Sequence, residues 1–338
     1  MKTNQLGRSA VRVTAVGFGA AGIGNLYRTV EDEVAHRAVD AAWRAGIRYF
    51  DTAPHYGLGL SERRLGAVLA DRPRAEFTVS TKVGRLLVPS PHTADQRDDA
   101  GGFDVPADHV RRWDFSADGV HRSLESSLTR LGLDRVDVVL IHDPDDHWRQ
   151  AVDEAYPALH ELRDQGVVGA IGVGMNQWQM LERFVVDTDI DTVMLAGRYT
   201  LLDQSAGRTL LPRCQERGVG VLAAGVFNSG VLATETPGRN YDYGPIPDAL
   251  YARAVRIAQV CRAHDVTLPQ AAMAFVARHP AVATLVLGAK TSAQVERNRD
   301  LVTAPVPDPL WADLAAEGLI DPSAPFPRPS PGWTARGR

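Results

Sequence analysis

The feature that most constrains the fold of this chain is an eightfold alternation between short apolar runs and longer helical patterns. Most of the apolar runs are almost continuously hydrophobic, which is typical of parallel strands buried on both faces. They predict strands at residues 13–19, 48–52, 77–83, 136–142, 170–174, 192–196, 220–224 and 284–288. The longer patterns predict helices at residues 30–45, 61–69, 117–131, 151–165, 177–187, 205–217 and 247–264.

Eight strand–helix repeats without an intervening linker predict one closed (β/α)8 TIM barrel of the α/β class. The expected single domain spans residues 1–338, with its core at about 13–302 and an extended Pro-rich tail at 320–338. A Rossmann sheet is the rival interpretation, because a G-x-G-x-x-G pattern occurs at residues 17–22. No helix pattern follows those glycines directly, so we interpret the stretch as a mobile loop at the barrel mouth.

Two long segments interrupt the regular alternation, at residues 85–113 and 233–246. Loops of this length in a compact domain are usually functional lids or disordered insertions. The first follows the third predicted strand and the second follows the seventh. Since barrel enzymes build their active sites at the carboxyl ends of the strands, we expect both loops at the catalytic face.

Composition and charge narrow the classes of function. A net charge of −4 and a pI of about 6.2 do not favour binding to nucleic acid or to an anionic membrane surface. Cys214 and Cys261 form neither a CxxC pair nor a disulfide framework, which predicts reduced thiols in a cytoplasmic protein. No segment resembles a signal peptide or a membrane span. We therefore expect a small-molecule substrate, and no metal, because no cluster of His, Cys and Asp has ligand spacing.

Four ionisable residues stand at or just beyond the ends of neighbouring predicted strands: Asp51, Tyr56, Lys82 and His142. A single residue of this kind often caps the next helix. Four on adjacent strands are a stronger signal, because barrel active sites are assembled from several strand ends.

The chemistry of these four side chains suits hydride exchange at a carbonyl carbon, which requires a proton to move to or from the oxygen. Tyrosine can exchange that proton, but its usual pKa of about 10 makes it a poor base near neutrality. We expect the Lys82 ammonium to lower the pKa of Tyr56, and Asp51 to balance the charge of Lys82. His142 would then hold the substrate oxygen.

Several motifs carry a resemblance to a known family. They are FDTAPHYG at 50–57, SERRLG at 61–66, STKVG at 80–84, LGLDRVD at 131–137 and LIH at 140–142. In this order they resemble the aldo-keto reductase superfamily over about residues 13–301. The resemblance places Asp51, Tyr56, Lys82 and His142 at the positions of that family's catalytic tetrad. It also implies a nicotinamide dinucleotide.

The resemblance implies cofactor contacts residue by residue. Asn176 would bind the carboxamide, Tyr199 would stack on the nicotinamide, and the loop of Phe227, Asn228, Ser229 and Gly230 would cover the pyrophosphate. The implied adenosine segment contains Gly288, Lys290, Thr291, Gln294 and Asn298.

Some positions depart from the family pattern. Met175 and Ala196 stand where many relatives carry Ser and Gln. Gly288 and Gln294 stand where NADPH-specific members carry Lys and Arg, which removes a bidentate phosphate clamp. We therefore expect both NAD and NADP to be used.

Looser matches resemble the aldose 1-dehydrogenase branch, which includes L-fucose and D-threo-aldose dehydrogenases. They are WDFS at 113–116, IHDPD at 141–145, LAGRYTLL at 195–202, FNSG at 227–230 and YDY at 241–243. The implied reaction oxidises C1 of an aldose such as L-fucose, D-arabinose or L-galactose to the lactone. His55, Asp143 and Asn228 would bind ring hydroxyls, since a site that hydrogen-bonds a hydroxyl rejects analogues without it.

Several alternatives stay open at this level. His55 and Asp143 could equally serve loop structure, and Trp113, Tyr241 and Tyr243 could either cover a sugar or pack the lids. The same four catalytic residues also fit a pyridoxal 4-dehydrogenase or a general aldehyde or ketone reductase. A non-catalytic barrel that binds NADPH is the alternative from another class.

Overall fold

The computed structural model describes residues 1–242 and 244–322. Eight strands close into one barrel and pair in parallel with their neighbours in chain order. We label them β1 to β8: Val16–Gly19, Tyr49–Asp51, Thr78–Val83, Val138–His142, Ala170–Met175, Thr192–Ala196, Gly220–Ala224 and Val282–Gly288. The predicted (β/α)8 barrel is confirmed, and the Rossmann alternative is wrong.

Helices surround the barrel. We label them α1 to α10: Asp32–Arg44, Leu60–Leu69, Ala117–Leu131, Tyr156–Asp164, Trp178–Asp187, Leu210–Arg217, Asp248–Ala263, Leu268–Ala277, Ser292–Thr303 and Asp308–Ala316. The short helical turns Trp148–Gln150 and Ala151–Ala155 lead directly into α4. The last three helices were not predicted. In α8 apolar residues lie on almost every face, so no helical period stands out in its sequence.

The first predicted strand needs a correction at its start. Residues Arg12–Thr14 do not join the barrel but pair with Thr3–Gln5 in an antiparallel hairpin. The Thr14 hydroxyl donates to the Val16 carbonyl at 2.7 Å and accepts from the backbone of Tyr49 at 3.2 Å, which turns the chain into β1. The hairpin covers one end of the barrel, and its buried Leu6 and Val13 extend the apolar interior of the barrel.

Both long segments follow the carboxyl ends of strands, as predicted, but each contains paired β-strands. Residues 85–113 contain a hairpin of Arg85–Pro89 with His109–Trp113, which we call the β3 hairpin, and a smaller pair, Arg97–Asp98 with Phe103–Pro106. The second loop forms the short pair Asn240–Tyr241 with Gly244–Pro245. Tyr243 lies outside the described residues.

The predicted extended tail is wrong at its first residue, because Ile320 is buried in the core. Residues 323–338 of that tail lie outside the described residues. Cys214 and Cys261 are buried and unpaired, as predicted. Across residues 1–242 and 244–322, no helix combines the length and apolar character needed to cross a membrane.

Candidate active site

Four side chains meet at the carboxyl ends of β2, β3 and β4. The Lys82 ammonium donates to the two carboxylate oxygens of Asp51 at 3.0 and 2.8 Å and to the Thr52 carbonyl at 2.9 Å. Lys82 Nζ lies 4.7 Å from the centroid of the Tyr56 ring. The rings of Tyr56 and His142 are perpendicular, with centroids 6.0 Å apart. The structure therefore brings together the four residues that the sequence singled out.

The register of the strands fixes this arrangement. Residues two positions apart on a strand face the same side. Tyr49 and Asp51 of β2 and Ser80 and Lys82 of β3 therefore share the interior of the barrel. Ser80 donates to Asp51 Oδ1 at 2.7 Å and is hydrogen bonded to the Tyr49 hydroxyl at 2.9 Å. Ser80 and Tyr49 thus hold the carboxylate that holds Lys82. Sequence analysis did not identify them, although the alternation of polar residues along both strands was a usable signal.

Close backbone contact between two loops positions Tyr56. A Cβ atom on Gly57 would lie 2.2 Å from the Gly24 carbonyl oxygen, so only glycine permits this approach. Arg64 donates to the Ile23 carbonyl at 2.7 Å and to Asn25 Oδ1 at 2.7 Å, which secures the loop after β1. These contacts attach the loop that we expected to be mobile, and its glycines permit tight packing beside the catalytic tyrosine.

Burial and charge set the protonation states. Burial lowers the pKa of Lys82, but the negative charge of Asp51 and the contact with Tyr56 outweigh it and raise that pKa overall. Burial raises the pKa of Tyr56 to about 12, although Lys82 opposes the shift. Lys82 therefore lowers the pKa of Tyr56, as expected, but burial outweighs this effect, so Tyr56 is a neutral phenol. Burial, with Arg85 and Lys82 nearby, keeps the pKa of His142 well below its usual value, so its imidazole is neutral.

A cleft of about 700 Å³ opens above the four residues, and His55, Trp113 and Asp143 all line it. The His55 ring stands edge-on to Phe103 with centroids 5.2 Å apart. Burial and the charges of Arg85, Arg111 and Lys82 lower the pKa of His55 to about 2, so it is neutral. Trp113 is 45% exposed. All three predicted substrate residues therefore face the space where a substrate must bind.

The side of the cleft beside β5 to β7 is lined by the small residues Ala196, Ala224 and Gly225, together with Met175, Met194 and Asn176. The Asn176 amide donates to Asp242 Oδ1 at 3.4 Å, across the mouth of the cleft.

Tyr199 does not line this cleft. Its ring is 5% exposed and lies between Phe275 of α8 and His279, with centroids 5.3 Å from each. The apolar layer between the barrel and α8 accommodates the ring, so the stacking role implied for Tyr199 is wrong.

The loop after β7 also differs from expectation at Asn228. Its side chain accepts from Thr200 Oγ1 at 2.6 Å and donates to the Gly197 carbonyl at 3.0 Å, which ties the loops after β6 and β7 together. The amide is therefore not free to bind a sugar hydroxyl. Phe227 packs against the core, whereas Ser229 is exposed. A Cβ on Gly230 would meet nothing within 4 Å. Ser229 and Gly230 remain available to a phosphate.

The implied adenosine segment begins at Gly288, the exposed last residue of β8, and much of it is engaged within the protein. Gln294 Oε1 accepts from the Lys290 backbone N–H at 2.7 Å, and Thr291 caps α9. The Lys290 ammonium donates to the Leu26 carbonyl, which binds the loop after β1. Asn298 is different, because its Oδ1 is buried without a partner. A buried acceptor of this kind fits the amino group of an adenine.

No group of three or more His, Cys, Asp and Glu side chains in the described residues is arranged to hold a metal. Tyr56, Lys82 and His142 line the cleft and can exchange protons or hydrogen bonds with a substrate oxygen.

Comparisons with known proteins identify the family of this chain. The aldo/keto reductase family model matches residues 15–316. D-threo-aldose 1-dehydrogenase from Pseudomonas sp is 48% identical over 316 residues, covering 92% of this chain and 96% of the relative. Pyridoxal 4-dehydrogenase from Microbacterium luteolum is 37% identical, covering 93% and 97%. A solved aldo-keto reductase from Bacillus halodurans, in its holo form, has a TM-score of 0.72 at 26% identity, covering 94% and 96%. This chain belongs to the aldo/keto reductase family and is an oxidoreductase that uses a nicotinamide cofactor.

Proposed function

We propose that this enzyme oxidises the C1 hydroxyl of an aldose, such as L-fucose, D-arabinose or L-galactose, to the aldonolactone. The observation that carries the proposal is a set of charged and imidazole side chains in the cleft wall around the catalytic phenol, beside the apolar residues of that wall. Beyond the tetrad these side chains are His55, Arg85, Asp143, Asp145, Asp146 and His147. Such a wall suits a ring with several hydroxyls better than an apolar aldehyde. The relative at 48% identity is named for the oxidation of an aldose at position 1.

Each catalytic residue has a defined task in this reaction. A bound oxidised nicotinamide supplies the hydride acceptor. Tyr56 takes the proton of the anomeric hydroxyl, and Lys82 stabilises the phenolate that the transfer requires. Asp51 keeps Lys82 charged and in place. The neutral imidazole of His142 donates a hydrogen bond to the substrate oxygen and fixes its direction.

We infer that both NAD and NADP serve as cofactor, with Asn176, Ser229, Gly230 and Asn298 as contacts from this chain. Gly288 and Gln294 stand where a Lys and an Arg would clamp a 2′-phosphate, and the Lys290 ammonium already donates to the Leu26 carbonyl. We expect measured KM values for NAD and NADP to lie within about a hundredfold of each other. A larger difference would contradict dual use.

A substrate panel tests the proposed function. The wild-type enzyme is assayed by nicotinamide absorbance with L-fucose, D-arabinose, L-galactose, pyridoxal and a nitrobenzaldehyde. We expect the highest kcat/KM with one of the three aldoses. A higher kcat/KM with pyridoxal than with any aldose would instead identify a pyridoxal dehydrogenase. Tight binding of NADPH without turnover of any of the five compounds would identify a non-catalytic barrel.

A further inference from the structure

Asp143 occupies an unusual position directly after the catalytic His142. Its Oδ2 lies 3.6 Å from His142 Nε2, and its side chain is 29% exposed to the cleft. The backbone at Asp143 has φ +44°, in the left-handed region, and its N–H donates to the Gly174 carbonyl at 3.0 Å. Non-glycine residues in this region are held there by their surroundings, often at functional sites.

A cation and an aromatic ring fix the direction of this carboxylate. Arg85 forms an ion pair with Asp143, and its guanidinium lies 4.4 Å from the centroid of the Trp113 ring. Arg85 and Trp113 face each other at the base of the β3 hairpin. Trp113 in turn stacks on Phe115 with centroids 5.8 Å apart. The β3 hairpin therefore places the Arg85 guanidinium between the Asp143 carboxylate and the Trp113 ring.

The position of the carboxylate relative to His142 suggests what it binds. In the proposed reaction the oxygen on C1 lies between Tyr56 and His142. The ring oxygen of the sugar carries no proton, so the C2 hydroxyl is the nearest other hydrogen-bond donor to C1, and Asp143 is the nearest carboxylate to His142 on the cleft wall. A carboxylate accepts a hydrogen bond from a hydroxyl, and its ionised form makes that bond stronger.

We propose that Asp143, held by Arg85, determines specificity by accepting a hydrogen bond from the C2 hydroxyl of the aldose. This inference rests on the proposed function and deepens it. A substrate without that hydroxyl leaves a half-buried carboxylate without its partner, which lowers kcat/KM for that substrate. Arg85 is a positioning residue in this account, since it acts through Asp143.

The charges around Asp143 add a dependence on pH. Titratable and charged groups face it from the loop after β2, from β3 with its hairpin, and from its own loop: His55, Tyr56, Lys82, Arg85, His142 and Asp145. Burial raises the pKa of Asp143 to about 6, and Arg85 opposes the shift. Above pH 6 the carboxylate is ionised and accepts the hydrogen bond; below it the group becomes protonated. Preference for a C2 hydroxyl should therefore weaken as the pH falls through about 6.

Two pentoses that differ only at C2 test the proposal. D-arabinose carries the C2 hydroxyl, whereas 2-deoxy-D-ribose lacks it and is otherwise identical. We expect wild type to prefer D-arabinose by about 10- to 100-fold in kcat/KM. Asp143→Asn should reduce that ratio by about tenfold or more, because the amide accepts more weakly than a carboxylate. Comparing the ratio in two enzymes cancels the intrinsic difference in reactivity of the sugars.

The variants are chosen so that misfolding does not imitate the result. Asparagine tolerates the left-handed region, so Asp143→Asn should keep the backbone of the loop. Asp134→Asn is the matched control, since it removes an exposed carboxylate that does not line the cleft and should keep the preference for D-arabinose. An equal loss of preference in Asp134→Asn would show that only net charge matters and would overturn the proposal.

Arg85→Met tests the positioning role of Arg85 through the pH dependence of the preference, which a purely structural role would not change. Arg85 lowers the pKa of Asp143, so its removal should shift the pH at which the preference is lost upward from about 6. An unchanged midpoint would contradict the role of Arg85.

The experiment also separates this inference from the proposed function. If wild type oxidises D-arabinose and 2-deoxy-D-ribose equally well, the aldose reaction stands and the role of Asp143 is wrong. If wild type oxidises neither sugar nor any other aldose, the proposed function fails and this inference fails with it.

Discussion

At the scale of single residues, the central fact is a phenol and an ammonium buried side by side. Tyr56 and Lys82 are both removed from water, and the carboxylate of Asp51, rather than a phenolate, compensates the charge of Lys82. An uncompensated buried charge is costly, so the cofactor-free enzyme keeps the proton on Tyr56. The resting site is therefore prepared to donate a proton, and oxidation must first remove one.

This protonation state predicts a pH dependence for the two directions of reaction. Oxidation needs the phenolate, whose fraction rises as the pH approaches the pKa of about 12. We expect kcat/KM for aldose oxidation to increase between pH 7 and pH 10, by up to tenfold per pH unit. Reduction of an aldehyde needs the phenol and should stay level over the same range. A pH-independent oxidation would contradict the assignment of Tyr56 as the base.

The sequence identified catalytic residues where an ionisable side chain ends an otherwise apolar strand. Asp51, Lys82 and His142 stand out at strand ends, because parallel strands buried on both faces otherwise contain few charges. Tyr199 could not be placed in the same way. Whether an aromatic ring after a strand faces a cleft or a helix depends on the turn between them and on a distant partner, here Phe275 of α8.

At the scale of elements, the β3 hairpin shows what periodicity misses. Its strands carry Arg and His beside apolar residues, so no alternation of apolar and polar residues marks them. Backbone pairing holds the hairpin together, and an ion pair between Arg111 and Asp98, at 2.7 Å, joins it to the smaller strand pair. The sequence predicted the site of the insertion after β3 correctly but not that its residues would form strands.

Residues 233–246, the loop after β7, form contacts near Asn176 at the cleft, and we call this loop the strap. Arg198 donates to Asp242 at 2.6 Å, and Asp242 accepts from Asn176, the expected carboxamide contact. Tyr241 donates to Asp203 at 3.0 Å and adds a second attachment. A dinucleotide that reaches Asn176 must pass beneath or displace these contacts.

This strap predicts an effect on cofactor exchange. Asp242→Ala removes the ion pair with Arg198, which is about 1 kcal/mol at a partly exposed site, and should speed NADPH release about fivefold. Stopped-flow fluorescence measures the rate. Glu235→Gln, which removes an exposed carboxylate from the same loop, is the control and should leave it unchanged. Equal release rates in Asp242→Ala and wild type would show that the strap does not retain the cofactor.

At the scale of the whole molecule, the barrel explains how four residues that are distant in the sequence form one active site. Eight parallel strands bring their carboxyl ends to one rim, and consecutive strands β2, β3 and β4 deliver four groups to one point. Strand number and closure could be predicted, because most of the strands are nearly continuous apolar runs. The hairpin that covers the other end, and α8 to α10, could not. Their positions depend on contacts with distant parts of the chain, such as Asn4 with the Ala283 carbonyl at 2.7 Å.

The central claim is that this barrel binds a dinucleotide and transfers one proton through Tyr56. Tyr56→Phe tests it most directly, since phenylalanine fills the same space and removes only the hydroxyl. Dinucleotide affinity and turnover are measured on the same preparation, by fluorescence titration with NADPH and by the aldose assay. We expect unchanged affinity and a loss in kcat of at least about 100-fold. A variant that binds NADPH normally and remains fully active would contradict the account.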